Sequence, residues 1–427
     1  MISSPLTRRQ MIFGGCACST AAMGWSSSLM AGIANPITDP PAPSLIPGYT
    51  AVDEDEQGLW MIMDKAEREI RGSEFTLRDP VLNDYVHGIT CRLAGEFCPD
   101  IRTYIIRTPY FNASMAPNGM MQVWTGLLLR MRSEAQLAAV LGHEIGHYVM
   151  QHSLKQFRNM RNTAGLSMFL RIGLSVAAAA AGAGGSGAIA AGDMGALLAW
   201  AGHFSYGRDQ EREADYLGVK FMVKAGYHPL AASSVWRQLI EERDYIMQLD
   251  FRDGSKRRKK RKRSGNDALF ATHPSSEERM ETLKHLAQQE ASLVQQHKHH
   301  TVRFLENLRS YRAGLIEDQL KVGKEGETEY LLDQLIAEGN GLGELYFYKG
   351  ELYRRSRDQH RRKSALNYYE KAMTHEDTPV EAFRSVGLIQ MKRKNYPAAR
   401  TAFESYLSRA PSADDEQMIN FYLQQLQ

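Results

Sequence analysis

Cysteine is scarce in this chain: four among 427 residues, too few for a disulfide-dense scaffold. Fifteen prolines and 35 glycines, with no fixed period, exclude a collagen-like or Pro/Gly-rich fibre. Charge of one sign is not in surplus either. Lys and Arg number 52 against 49 Asp and Glu, a net +3, and eight of the positive charges form one unbroken run, Lys256–Arg263. Without that run the remainder would be net −5, so the overall charge gives no case for a nucleic-acid partner. The run itself has no aromatic residue, whereas single-stranded nucleic-acid sites interleave them. It reads as a solvated loop, with anionic lipid head groups as the alternative partner. What remains is an ordinary globular composition, 43% hydrophobic and 24% charged, and enough length for two or three domains.

Acidic residues are also missing from the N-terminus before Asp39. Arg8 and Arg9 precede a mostly apolar or small stretch, Met11 to Met30, and Gly32 and Ala34 stand at the −3 and −1 positions of a cleavage site. A basic start, apolar middle and small-residue end make residues 1–34 an export signal of loosely twin-arginine type. A lipid anchor on Cys16 is a weaker alternative, because Phe13 stands where an aliphatic residue usually sits. Export implies a periplasmic location, with membrane association left open. Cleavage after Ala34 removes Cys16 and Cys18 and leaves Cys91 and Cys98. Seven helical residues span about 10.5 Å, too far for a disulfide. The two can pair only if the helix ends before Cys98, which Pro99 allows.

The fold class reads as mainly α with a small sheet (α+β). Residues 35–52 hold five prolines and form a linker. Apolar residues recur at helical spacing from Glu54 to Gly72 and again through Val81, Leu82, Tyr85, Val86, Ile89 and Leu93. Thr103 to Arg107 and Gly119 to Trp124 are rich in β-formers and predict two or three strands. A helix follows from about Ser133 to His152, with Ser133 as N-cap and Glu134 suited to the dipole of the first turn. Residues 172–192 carry no charge and would span a bilayer. Their cluster of Gly182, Gly184, Gly185 and Gly187 favours two short buried helices instead. The segment 299–427 is helical with a weak repeat. Gly387, Ala399, Phe403 and Pro411 stand at the offsets of the tetratricopeptide pattern, and Gly350, Ala365, Tyr369 and Ala372 form an earlier copy. A third copy starts near Ala313-Gly314, with Tyr330 as its aromatic. The chain thus divides into a first domain, 53–298, and a repeat-like second domain, 299–427.

His143-Glu144-Ile145-Gly146-His147 carries the chemistry. On a helix, positions i and i+4 share a face, so both imidazoles can point at one metal ion. Glu144 projects beside them, placed to take a proton from an attacking water, and Gly146 leaves space next to the metal. The third ligand is expected downstream. Glu211 and Asp215 are again i and i+4: Glu211 completes a His₂Glu zinc set, one ion per chain, and Asp215 can fix a ligand imidazole. Glu213, about 200° around the helix, points elsewhere. His203 is a candidate partner for the oxyanion. His297-Lys298-His299-His300 reads as a solvated helix end more than a metal cluster.

With these motifs in place, residues 53 to 290 resemble the HExxH…ExxxD gluzincin peptidases, the family that includes the CAAX prenyl protease and the membrane-bound heat-shock protease. The likeness includes Asn112-Ala113, Pro117-Asn118-Gly119, Thr125-Gly126-Leu127-Leu128 and Thr272-His273-Pro274 through Arg279. The order of export signal, protease and repeat tail is similar to that of periplasmic members serving outer-membrane assembly. The resemblance implies a zincin-type domain in which Asn112 and Ala113 lie on an edge strand that holds extended substrate. It implies that His273 lies over the metal as a latch. It also implies that the tail recruits the outer-membrane assembly machinery and that the substrates are unfolded or misassembled envelope proteins. The expected function is a latent zinc endopeptidase with Glu144 as catalytic base. The competing readings are an adaptor or chaperone working through the tail, and an integral membrane protease resting on residues 172–192.

Overall fold

Strand β4 (Met120–Trp124) is buried along its whole length and divides two apolar clusters. Successive side chains of a strand point to opposite faces. Met121 and Val123 accordingly enter one cluster, and Met120 and Trp124 the other. Ile105 and Ile106 of β2 (Arg102–Ile106) divide in the same way. The sheet order is β1-β2-β4-β3, with β1 Thr76–Leu77 and β3 Ala113–Met115 at the edges. β2 and β4 are parallel, and the two edge strands pair antiparallel. These assignments belong to a computed structural model that describes residues 42–161, 206–252, 277–291 and 297–426. Residues 1–34, where an export signal was expected, residues 172–192, the run Lys256–Arg263, His203 and His273 lie outside the described residues. Among the described residues no helix is long and apolar enough to cross a membrane.

Helix α1 (Glu54–Gly72) begins where the Asp53 carboxylate accepts from the Glu56 amide at 2.9 Å, and it lays Leu59, Met63 and Ile70 on one sheet face. Helix α2 (Pro80–Ala94) starts with Asp79 as cap and Pro80 at its first turn, and buries Leu82, Val86, Ile89 and Leu93 on the other face. It stops at Gly95, whose φ of 59° is in the left-handed region. The chain then folds back through a 3₁₀ turn, Gly95–Asp100, and Cys98 forms a disulfide with Cys91, their Cα atoms 4.7 Å apart. The distance objection from the sequence disappears because the helix ends four residues before Cys98.

A short α3 (Thr125–Arg130) leads into α4 (Glu134–Val149), capped by the Ser133 hydroxyl and buried on nearly every side. The helix expected to reach His152 breaks instead. Gln151 adopts φ 53°, and α5 (His152–Arg161) sets off anew. Helices α6 (Arg208–Lys224) and α7 (Ala231–Arg252) pack on α4, and α8 (Glu277–Ala291) packs on α6 and α7. β1 was not foreseen from the sequence; two residues are too short for a periodicity signal.

Helix α9 (Thr301–Lys321) shares the main apolar cluster through Phe304, Leu315, Ile316 and Leu320. Helices α10 (Glu325–Ala337), α11 (Leu342–Arg355), α12 (Gln359–Ala372), α13 (Glu381–Lys392), α14 (Tyr396–Arg409) and α15 (Glu416–Gln425) complete the chain. In α11–α12 a Cβ on Gly350 would lie 2.5 Å from the Tyr369 ring, and in α13–α14 one on Gly387 would lie 2.4 Å from Phe403. The small residue on the first helix is therefore the seat of the aromatic on the second. The third copy lacks this contact: a Cβ on Gly314 would meet nothing within 4 Å, and Tyr330 lies against Tyr245 at 5.3 Å between ring centres. In the 297–300 segment Lys298 and His299 are exposed, as expected of a solvated end, yet two of its histidines are held in place. His297 Nε2 is 2.7 Å from the Val223 carbonyl, and His299 stacks on His228.

Candidate metal centre

Helices α4 and α6 meet at backbone distance. A Cβ on Gly146 would lie 2.9 Å from Ala214 Cα and O, and one on Gly218 would lie 3.0 Å from the His143 amide nitrogen. The space beside Gly146 is thus filled by α6, not left for a ligand as expected. This contact brings the acidic face of α6 over the two histidines of α4.

His143, His147 and Glu211 converge, all three buried. The two Nε2 atoms are 3.0 Å apart. Glu211 Oε2 is 3.6 Å from His143 Nε2, and Oε1 is 3.5 Å from His147 Nε2. Nitrogen and oxygen ligands at about 2.0–2.1 Å from a tetrahedral ion stand about 3.3–3.4 Å apart. Two imidazoles and a carboxylate at this separation therefore fit one metal ion. The other metal-type group among the described residues, His87 with Cys91 and Cys98, has both sulfurs in the disulfide. Glu144 is buried and lines, with His143, an apolar pocket formed by Phe111, Ala139, Val235 and Trp236.

Asp215 lies where the spacing placed it. Its Oδ1 is 2.9 Å from His143 Nδ1, and it also receives two hydrogen bonds from Arg279, at 2.6 and 2.7 Å. Burial pushes the Asp215 carboxyl up, but the Arg279 guanidinium and the His143 ring hold it below its ordinary value. Ala113 opens the edge strand β3. Asn112 precedes it, and its carbonyl accepts from the Trp124 amide at 3.1 Å. The Asn112 side chain is 1% exposed, and neither end of its amide finds a hydrogen-bond partner among the described residues.

Sequence reasoning missed three residues here. Arg279, at the start of α8, lies 2.5 Å from Glu211 and over the Trp236 ring. It was visible only as the end of the Thr272–Arg279 stretch, with no role attached. Tyr206 stacks on His147, ring centres 3.8 Å apart, and its hydroxyl is 2.9 Å from Ser153 Oγ. His152 Nδ1 lies 2.8 Å from His147 Nδ1, and its Nε2 lies 2.9 Å from Glu213 Oε2. Burial lowers the pKa of the His152 ring, against the opposing pull of Glu213. Glu213 does point away from the metal position, as its helical angle required.

The family model of peptidase family M48 matches residues 79–287. The chain is 24% identical over 232 residues to the beta-barrel assembly-enhancing protease of Escherichia coli, a match covering 54% of this chain and 44% of that protein. It is 31% identical over 182 residues to the mitochondrial metalloendopeptidase OMA1 of Schizosaccharomyces pombe, covering 42% and 45%. The chain thus spans less than half the length of these curated relatives. The matched region contains both histidines, Glu144, Glu211, Asp215 and Arg279, and residues 79–287 are thus similar to a peptidase family M48 domain.

Proposed function

We propose that this chain is an exported zinc-dependent endopeptidase acting on unfolded or misassembled envelope proteins, with its helical tail binding partners. The observation that carries the reading is the set of His143, His147 and Glu211 at tetrahedral ligand spacing, with Glu144 between the two histidines in the sequence. These three residues would hold the ion. When bound, zinc supplies a Lewis acid for the scissile carbonyl and for the attacking water. Glu144 takes the proton of that water and returns it to the leaving amine. Asp215 accepts from His143 Nδ1–H and so keeps Nε2 free to ligate. Arg279 balances the charge of Glu211 and Asp215. The pocket of Phe111, Val235 and Trp236 would receive an apolar side chain of the substrate.

Export and envelope substrates are supported by the basic-apolar-small N-terminus and by the likeness to a bacterial beta-barrel assembly-enhancing protease. Partner binding is supported by the Gly350–Tyr369 and Gly387–Phe403 seats, which follow the tetratricopeptide pattern, and by a groove of about 550 Å³ between Phe347, Arg354, Arg384 and Met418. The test is zinc content and casein cleavage of the purified protein beside Glu144→Gln. The expected result is one zinc per chain in both and a loss of cleavage of at least about a hundredfold in the variant. Zinc without cleavage in the parent would move the function to the tail, as an adaptor.

A further inference from the structure

The two ligand histidines turn their second ring nitrogens to different partners. His143 turns Nδ1 to Asp215 at 2.9 Å, the usual arrangement for fixing a metal-binding imidazole. His147 turns Nδ1 to another imidazole, His152, which turns its far nitrogen to Glu213. We propose that Glu213 and His152 are a two-step positioning relay that sets the tautomer of His147 and keeps its Nε2 available to the metal.

Each step follows from what the groups can donate. An ionised carboxylate only accepts, so the bond to Glu213 places the His152 proton on Nε2. With one proton on the ring, His152 Nδ1 is then a lone pair. Two ring nitrogens 2.8 Å apart need one proton between them, so it belongs to His147 Nδ1. That leaves the lone pair of His147 on Nε2, the atom facing His143 Nε2 and Glu211. The relay exists because the chain breaks at Gln151. On one unbroken helix, residues five apart differ by about 140° and their rings could not meet. Tyr206 fixes the plane of the His147 ring by stacking on it, and is itself held by Ser153, the residue after His152. Helix α6 thereby serves both ligand histidines, Asp215 directly from one face and Glu213 from the other through His152.

This inference rests on the metal-site reading, and the experiment separates the two. Zinc and cobalt affinities are measured on the full chain by competition with a chromophoric chelator, for the parent, Glu213→Ala, Glu213→Gln and His147→Ala. Melting of each metal-free protein is recorded alongside. The Glu213 side chain is one-third exposed but accepts from the buried His152, so Glu213→Ala should lower the metal-free melting temperature by about a few degrees at most, and Glu213→Gln by less. Glu213→Ala should weaken zinc binding about 10–100-fold and shift the visible spectrum of the cobalt form. Glu213→Gln, whose amide oxygen can still accept, should recover most of the loss. If Glu213→Ala binds zinc as the parent does while His147→Ala does not, the relay is wrong and the metal site stands. If the parent binds zinc no better than His147→Ala, the metal site and the relay both fall.

Discussion

Glu134 occupies the first turn of α4, where any carboxylate gains from the helix dipole, yet it is fully buried and needs more than a dipole. Tyr85, Tyr227 and Arg92 supply that, at 2.8, 2.6 and 2.6 Å. Burial pushes its pKa up, but the two hydroxyls and the guanidinium outweigh this and the carboxyl titrates below its ordinary value. A carboxyl whose folded pKa is depressed stabilises the fold above its unfolded pKa, and that contribution disappears as pH falls through the folded value. Glu134→Gln should therefore flatten the acid side of the stability–pH curve, and Glu134→Ala should cost about 3 kcal/mol at neutral pH by urea unfolding. His143, Glu144, His147, Glu211 and Asp215 were legible in the sequence because each set lies within one helix, where spacing alone fixes the face. Arg279, Tyr206 and the His152–Glu213 pair were not. Their positions depend on the left-handed Gln151 and on how separate helices dock, and neither leaves a periodic trace.

Between helices, glycine decides how near two backbones come. Replacing a helical glycine by alanine normally stabilises by about 1 kcal/mol, whereas overpacking a core costs about 1–3 kcal/mol. At Gly146 the new methyl would meet the main chain of Ala214, which cannot rotate aside, so the cost outweighs the gain. Gly146→Ala is expected to lower stability by about 1–2 kcal/mol and to weaken zinc binding, because α6 carries Glu211 away with it. At Gly314 nothing lies within 4 Å, and alanine there should stabilise by up to about 1 kcal/mol. Urea midpoints of the two variants, measured together, check the pair. The helices α1 and α2 and the strands β2 and β4 were foreseen because periodicity and turn residues agree locally. The break after α4 was not, since no glycine or proline marks it.

At the scale of the molecule, one apolar cluster takes in described residues from Leu45 to Ala402. Polar contacts also tie the region after residue 298 to the peptidase helices and strands. The His299 carbonyl accepts from Ala135, Asp318 holds Arg107 at 2.6 and 3.0 Å, and Tyr311 donates to Asp79 at 2.6 Å. A protein truncated after Lys298 would expose the surface that Phe304, Leu315, Ile316 and Leu320 cover. Its melting temperature should drop by on the order of 10 °C, while truncation after Asn340, which keeps α9 and α10, should drop it far less. Thermal scans of the two truncations against the full chain decide this. The outer side of β3 has a different consequence. A peptide pairing there offers its main chain, which is the same for every residue but proline. Such an edge ranks its targets by how often a stretch comes loose and hardly by how it is spelled. A segment that opens from a finished fold at about 5 kcal/mol is available in about one molecule in several thousand, whereas a chain that never reached its fold is available always. On the proposed function, an extended substrate paired with the three residues of β3 would be chosen for being unfinished, with no side chain recognised.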